Sequence, residues 1–300
     1  MAKNKIIVIL GPTSSGKTRL AVELANKFNG EIVSADSRQV YRGMDIGTGK
    51  DLGEYSVPYH LIDVVSPKNR FDLAQYQKLA FQAIDDILKR GKLPILAGGS
   101  GLYLQAVIDN YKLSDAKKDL ALRKKLEKLN AGELFKKLEK LSPNLAVKLN
   151  QSDKNNKRRL IRYLEILEQD KNFKSRKGQK KYEALLIGLS YSGEILKQRI
   201  FKRLMDRLKE QNMIGEVENL RAKGLSWKRL EEFGLEYKFI SLYLQGKLQY
   251  EEMVEKLNLA IFQFAKRQLT WFKRWEKQGV KINWLKDFKK IEKLTKEFLE

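Results

Sequence analysis

Gly11-Pro12-Thr13-Ser14-Ser15-Gly16-Lys17-Thr18 has the spacing G-x-x-x-x-G-K-[ST]. Glycines at both ends let the backbone turn its N–H groups toward phosphate oxygens, Lys17 can reach a terminal phosphate, and the Thr18 hydroxyl can ligate Mg²⁺. The pattern alone suits a kinase or a nucleoside triphosphatase and is the usual mark of an ATP site. One carboxylate follows in a polar stretch, Asp36 of Ser34-Ala35-Asp36-Ser37-Arg38-Gln39-Val40-Tyr41. There it could act as a general base toward an acceptor bound opposite the phosphates. The plainer alternative is an aspartate that caps a turn. Neither Lys92 to Ala97 nor Tyr59 to Val65 ends in the apolar run plus aspartate of a hydrolase's metal-binding strand.

These residues need elements to position them. Lys5 to Leu10 (KIIVIL) is a continuous apolar run, as expected of a central parallel strand covered on both faces. Gly11 stops it, and Leu20, Leu24 and Phe28 then recur at helical spacing until Asn29-Gly30. Further strands are expected at Glu31 to Ala35, Tyr59 to Val65, Lys92 to Ala97 and Glu183 to Leu189, with a helix capped by Asp72 running to Lys89. Strands alternating with helices predict a doubly wound parallel sheet, whose ligands sit beyond the carboxyl ends of the strands. The loop 11–18, Asp36 and Gly98-Gly99-Ser100-Gly101 should therefore converge. From about 112 to 180 the chain is lysine-rich and strand-poor, with one helix broken at Asn130-Ala131-Gly132, a second through Leu134, Leu138 and Leu141, and a polar linker at 171–181. The rest reads as mostly helical, with Leu196, Ile200, Leu204 and Leu208 on one face and no internal repeat.

Sixty Lys and Arg against 37 Asp and Glu leave a net charge of +23. So wide an excess points to a polyanionic partner, although a solvated lysine-rich surface is the alternative and charge alone does not separate them. With no cysteine and only His60, disulfides, thiolate zinc sites, cysteine nucleophiles and multi-histidine metal sites are excluded. No apolar run approaches the ~20 residues of a spanning helix, and the chain passes from Met1 directly into a strand. A cytoplasmic protein with no membrane partner is expected. A length of 300 residues accommodates one catalytic domain and a smaller module.

Six segments occur in a telling order: the loop 11–18; Ser34 through Tyr41 continuing Arg42-Gly43-Met44-Asp45-Ile46-Gly47-Thr48; His60-Leu61-Ile62-Asp63; Gly98-Gly99-Ser100-Gly101-Leu102-Tyr103; Arg158-Arg159-Leu160-Ile161-Arg162; and Arg267-Gln268-Leu269-Thr270-Trp271. In that order, over nearly the whole chain, the sequence resembles the bacterial-type tRNA dimethylallyltransferase family. The resemblance implies an α/β fold with a P-loop NTPase-like parallel sheet core, in two parts at 1–111 and 181–300, interrupted by a helical tRNA-binding domain at 112–180. It implies transfer of a dimethylallyl group from dimethylallyl diphosphate to N6 of the adenosine just 3′ of the anticodon, releasing diphosphate. Gly11, Pro12, Thr13, Ser14, Ser15, Gly16, Lys17 and Thr18 would hold the departing diphosphate, with Mg²⁺ on Thr18. Asp36 would take the amine proton, and Ser37, Arg38 and Gln39 would hold the adenine, which must be flipped out of its stack. Ser100 stands where the family usually has a tRNA-contacting threonine. Arg123 and the run Arg158, Arg159, Leu160, Ile161 and Arg162 belong to the part that clasps the anticodon stem-loop. A monomer acting on one tRNA is expected.

The sequence also departs from that family. Many members carry a diphosphate-binding arginine shortly before a Gly-Tyr pair, and Phe233 occupies the aligned position here, in Phe233-Gly234-Leu235-Glu236-Tyr237-Lys238. Lys238 could take over the role, or the alignment shifts. The zinc finger of eukaryotic relatives is ruled out by the absence of cysteine. Arg199, Arg203 and Arg207 form a stripe that faces RNA, diphosphate or solvent, while His60, Arg267 and Trp271 are as well explained by packing. Competing functions are a small-molecule kinase using ATP, an isopentenyltransferase acting on free adenylate, and an RNA-binding protein whose phosphate loop is idle.

Overall fold

The computed structural model describes residues 4–114, 116–171 and 176–300. Met1 to Lys3 and part of the polar linker expected at 171–181 lie outside the described residues. Two compact units result: Tyr111–Gly178, and the remainder of the chain on either side of it.

The larger unit starts with β1 (Lys5–Leu10), α1 (Lys17–Lys27), β2 (Gly30–Ser34), β3 (Tyr59–His60), α2 (Leu73–Lys89), β4 (Leu93–Gly98) and α3 (Gly101–Ile108). The apolar run of β1 is explained by its two faces. Ile7 and Ile9 pack with Leu20 and Leu24 of α1, whereas Ile6, Val8 and Leu10 pack with Tyr76 and Ile84 of α2 and Leu104 of α3. Residues 6–10 are wholly buried, and burying each such side chain stabilises the fold by about 1.5–3 kcal/mol relative to exposure. Asp72 caps α2 with a reciprocal box, accepting the Gln75 N–H at 3.1 Å while Gln75 accepts the Asp72 N–H at 3.0 Å; such caps contribute about 1 kcal/mol.

The smaller unit contains β5 (Tyr111–Lys112), α4 (Leu120–Leu126), α5 (Ala131–Leu141), α6 (Pro143–Lys148), α7 (Gln151–Lys154), α8 (Lys157–Gln169) and β6 (Arg176–Lys177). The expected break at Asn130 is a helix start: Asn130 and Glu133 form a capping box at the head of α5. Leu134 and Leu138 of α5 pack on Leu160, Ile161 and Leu164 of α8 to make that unit's own core.

The larger unit resumes with β7 (Glu183–Gly188), α9 (Gly193–Lys209), α10 (Met213–Ala222), α11 (Trp227–Phe233), α12 (Leu235–Leu244), α13 (Tyr250–Lys277), β8 (Asn283–Trp284) and α14 (Phe288–Leu299). Its sheet runs β3-β2-β4-β1-β7-β8 with parallel neighbours throughout. The strand expected over 59–65 is cut short after His60. Leu61 and Asp63 adopt φ of 65° and 58°, which a continuing strand does not allow, and only an isolated bridge from Tyr41 to Val65 remains. The turn delivers the Asp63 carboxylate to the ammonium of fully buried Lys50. Helices α9 to α13 form a separate apolar cluster with Val40, Tyr41 and Met44. Among the described residues no helix is long and apolar enough to cross a membrane.

Candidate active site

The loop between β1 and α1 is glycine-bounded for two different reasons. A Cβ on Gly11 would stand 2.5 Å from the Leu189 carbonyl, so the close backbone approach excludes any side chain. Gly16 takes φ 86° as the residue before α1, and no side chain caps the helix there. The first N–H groups of α1 are thus left for an anion, reinforced by the positive end of the helix dipole. Three contacts hold the loop: Lys17 Nζ donates to the Pro12 carbonyl at 2.7 Å, Arg199 Nε of α9 donates to the Ser14 carbonyl at 2.7 Å, and the Thr13 N–H donates to Gln268 Oε1 of α13 at 2.9 Å. Gln268 Nε2 also donates to the Gly99 carbonyl at 2.9 Å, joining the loops after β1 and β4.

Asp36 follows β2 at the same sheet edge. Its Oδ1 accepts the Arg38 N–H at 2.8 Å, so Asp36 does shape a turn, while the carboxylate also lines a cavity of about 500 Å³ together with Thr13, Lys17 and Thr18. Ser37 and Ser100 are brought together, the Ser37 N–H donating to Ser100 Oγ at 3.0 Å. The Gln39 carboxamide is engaged at both ends, accepting from Ser34 Oγ and donating to the Gly49 carbonyl, each at 2.9 Å. It braces the cavity wall. Burial pulls the Lys17 ammonium down to about 8, the Asp36 charge resists, and Arg203 adds to the fall.

The cavity is amphiphilic. Among its lining residues are Lys17, Asp36, Arg203 and Arg207, and also Phe239 of α12 with Ala260, Ile261 and Phe264 of α13. A second cavity of about 340 Å³ lies against Ser14 to Arg19, flanked by Arg199, Lys202 and Arg203. The arginine stripe of α9, with solvation as its default reading, faces this site. Leu196, Ile200, Leu204 and Leu208 bury the adjoining face of the same helix, and that pairing was the available signal. The apolar lining was missed, since a phenylalanine that lines a cavity and one that fills a core leave the same helical pattern.

The structure corrects two assignments in the basic run. Leu160 and Ile161 are 0% and 5% exposed in the core of the smaller unit, because helical periodicity turns them inward while Arg158 and Arg159 face out. They cannot offer side chains to RNA. Arg123 and Arg162 both converge on Glu165, whose side chain is fully buried: Arg123 Nη2 donates to Oε2 at 2.7 Å and Arg162 Nη1 lies 3.5 Å from it. Arg159 pairs with Asp153, and Arg158 is exposed.

Phe233 is 3% exposed, its ring 4.9 Å from that of Tyr41 and stacked beneath the Arg229 guanidinium at 4.4 Å. It supplies packing where an arginine was sought. Lys238 and Arg267 line the larger cavity. Trp271 Nε1 donates to Gln105 Oε1 at 3.1 Å, and a Cβ on Gly101 would collide with the Trp271 ring. His60 Nε2 lies 2.8 Å from buried Glu31, away from the cavity, in a structural cluster with Arg90 and Lys92.

No group of three or more metal-ligating side chains exists among the described residues. Thr18 and Asp36, oxygen donors that line one cavity, suit a hard ion that arrives with phosphate oxygens and waters, as Mg²⁺ does, rather than a protein cage.

A family model described as IPP transferase matches residues 39–275. The chain is 48% identical over 283 residues to tRNA dimethylallyltransferase 2 of Citrifermentans bemidjiense, covering 93% of this chain and 90% of that protein. It is 47% identical over 291 residues to the enzyme of the same name from Treponema denticola, covering 94% and 96%. Among solved structures, the full-length tRNA isopentenylpyrophosphate transferase of Bacillus halodurans aligns with TM-score 0.72 at 36% identity, over 99% of this chain and 96% of that one. A eukaryotic dimethylallyltransferase acting on tRNA aligns with TM-score 0.76 at 30% identity, over 89% and 69%.

Proposed function

The chain belongs to the IPP transferase family, and on that premise we propose that it transfers a dimethylallyl group from dimethylallyl diphosphate to N6 of the adenosine 3′ of the anticodon in tRNA. The carrying observation is that Lys17 and Thr18 of the phosphate loop line one cavity together with Asp36 and the apolar side chains of Phe239, Ile261 and Phe264. A five-carbon prenyl chain has no hydrogen-bonding group to satisfy and suits the side chains of Phe239, Ile261 and Phe264 that line the same cavity.

The N6 lone pair attacks C1 of the donor, the C1–O bond breaks, and its electron pair leaves with diphosphate. Loop N–H groups and Lys17 stabilise the charge that develops on the departing oxygens. Asp36 accepts the N6 proton as the C–N bond forms, its unshared oxygen being free of the turn contact to Arg38. Thr18 would hold Mg²⁺, which neutralises charge on the diphosphate when bound. The +23 charge accounts for tRNA as the polyanion, the chain acting as a monomer on one tRNA.

The test is incubation with Mg²⁺ and labelled dimethylallyl diphosphate, with unmodified tRNA, AMP or no acceptor in parallel. Label is expected on tRNA alone; label on AMP and none on tRNA overturns the assignment. Asp36→Ala should abolish transfer while leaving tRNA affinity intact, and near-normal turnover in that variant removes Asp36 as the base.

A further inference from the structure

Arg207 is the most unusual cation in the cavity. Its side chain is 8% exposed, and its Nη2 is buried with no hydrogen-bond partner among the described residues. Asp51 Oδ1 lies 3.5 Å from that atom, within ion-pair range but without hydrogen-bond geometry, while the other carboxylate oxygen is taken by Arg203. Glu236 lines the same cavity and recess as the two arginines, and burial raises its carboxyl pKa despite both. Leaving a guanidinium desolvated and unsatisfied is costly. Room is made for it all the same: a Cβ on Gly49 would collide with the guanidinium groups of both Arg207 and Arg203, and Gly49 sits at φ 64°.

The open donor points to a missing acceptor. Lys17 and the amides of the phosphate loop grip phosphoryl oxygens from one element lining the cavity. Arg207 lines the same cavity from the α9 side, and also a smaller recess formed with Thr13 and Ser14. A planar guanidinium with fixed donors is suited to phosphate oxygens, more so than a lysine. We propose that Arg207, held by Asp51 over Gly49, donates to the second phosphoryl group of the donor and makes the site selective for a diphosphate over a monophosphate. The inference rests on the diphosphate-donor reading above.

The experiment compares wild type, Arg207→Lys and Arg207→Met, each checked for cooperative melting by circular dichroism. Inorganic pyrophosphate and inorganic phosphate are the probes, measured by calorimetry, with donor KM, kcat and tRNA affinity alongside. Loss of one charge-assisted hydrogen bond should weaken pyrophosphate by about tenfold to a hundredfold. Phosphate and tRNA binding should change little, and donor KM should rise more than kcat falls. Pyrophosphate affinity within about twofold of wild type overturns the proposal, as does equal weakening of phosphate and pyrophosphate, which is the mark of a general field effect. Should Arg207→Met not fold, Arg207→Lys decides, since it keeps the charge and loses the planar fork. Tight pyrophosphate binding by wild type without prenyl transfer defeats the functional assignment while leaving the role of Arg207 standing.

Discussion

Gln268 Oε1 accepts the Thr13 N–H at 2.9 Å, tying the middle of the longest helix to the turn of the phosphate loop. The same carboxamide donates to the Gly99 carbonyl, and a Cβ on Gly99 would collide with it. Gln268 is 6% exposed, so truncation leaves two backbone groups unsatisfied at about 1–3 kcal/mol each. Gln268→Ala should lower the melting temperature by several degrees and raise donor KM. Gln268→Glu keeps the acceptor for Thr13 but loses the donor to Gly99 and places a negative charge beside the phosphates. Its donor KM should therefore rise further than that of the alanine variant, as steady-state kinetics would show.

Lys17 predicts two opposite pH responses. Burial lowers its pKa to about 8 in the free chain, against about 10.4 for an unfolded lysine. Between those values the unfolded state binds more protons, so this group's contribution to stability grows as pH rises. The phosphate grip needs the cation, so pyrophosphate affinity should fall as pH rises through about 8, by up to tenfold per unit. Calorimetry between pH 7 and 9.5 should also show proton uptake on binding at the upper end. Lys17→Met should abolish the pH dependence together with most of the affinity, and a flat wild-type profile would contradict the role of the ammonium.

Neighbours on α8 should behave oppositely. Leu160 is wholly buried against α5, so Leu160→Ala should destabilise the smaller unit by about 2–5 kcal/mol. Arg158 is exposed, and its replacement by alanine should leave the melting temperature within a degree or two. For tRNA the order reverses: Arg158→Ala should reduce the slope of log affinity against log salt by about 1 if it contacts a phosphate. Filter binding between 50 and 200 mM salt measures the slope.

The site's polar end was legible because its residues follow strand ends. An apolar run, a glycine loop and a lysine at fixed spacing are local signals, and parallel topology then brings Asp36 and Gly99 to the same edge. Arg203 and Arg207 were visible as a stripe but not as a wall. Their burial depends on Gly49, more than 150 residues earlier, and no local pattern carries that contact. Phe233 shows the converse: a position sought as a phosphate contact is filled by a ring packed on Tyr41 and Tyr237, and the cationic wall comes from α9 instead. The shortened β3 has the same character, since Leu61 and Asp63 turn to reach Lys50, a tertiary demand that overrides a β-branched run.

The loop carrying Gly49 is set by a carboxylate outside the cavity. Glu216 of α10 accepts the N–H groups of Asp45 and Ile46 on Oε2 at 2.7 and 2.6 Å, and that of Gly47 on Oε1 at 3.0 Å, while the Tyr237 hydroxyl donates to Oε1 at 2.7 Å. Four donors on one side chain require both oxygens to be acceptors. Glu216→Gln turns one of them into an NH₂ that faces N–H groups, so the loss should be about 1–3 kcal/mol for each donor left unpaired. Glu216→Asp retains the acceptors on a shorter stem and should recover part of it. Because residues 47–49 line the cavity beside Arg207, both variants should raise donor KM and leave tRNA affinity unchanged. If Glu216→Gln lowers the melting temperature with no change in donor KM, Glu216 stabilises the fold without positioning the donor site.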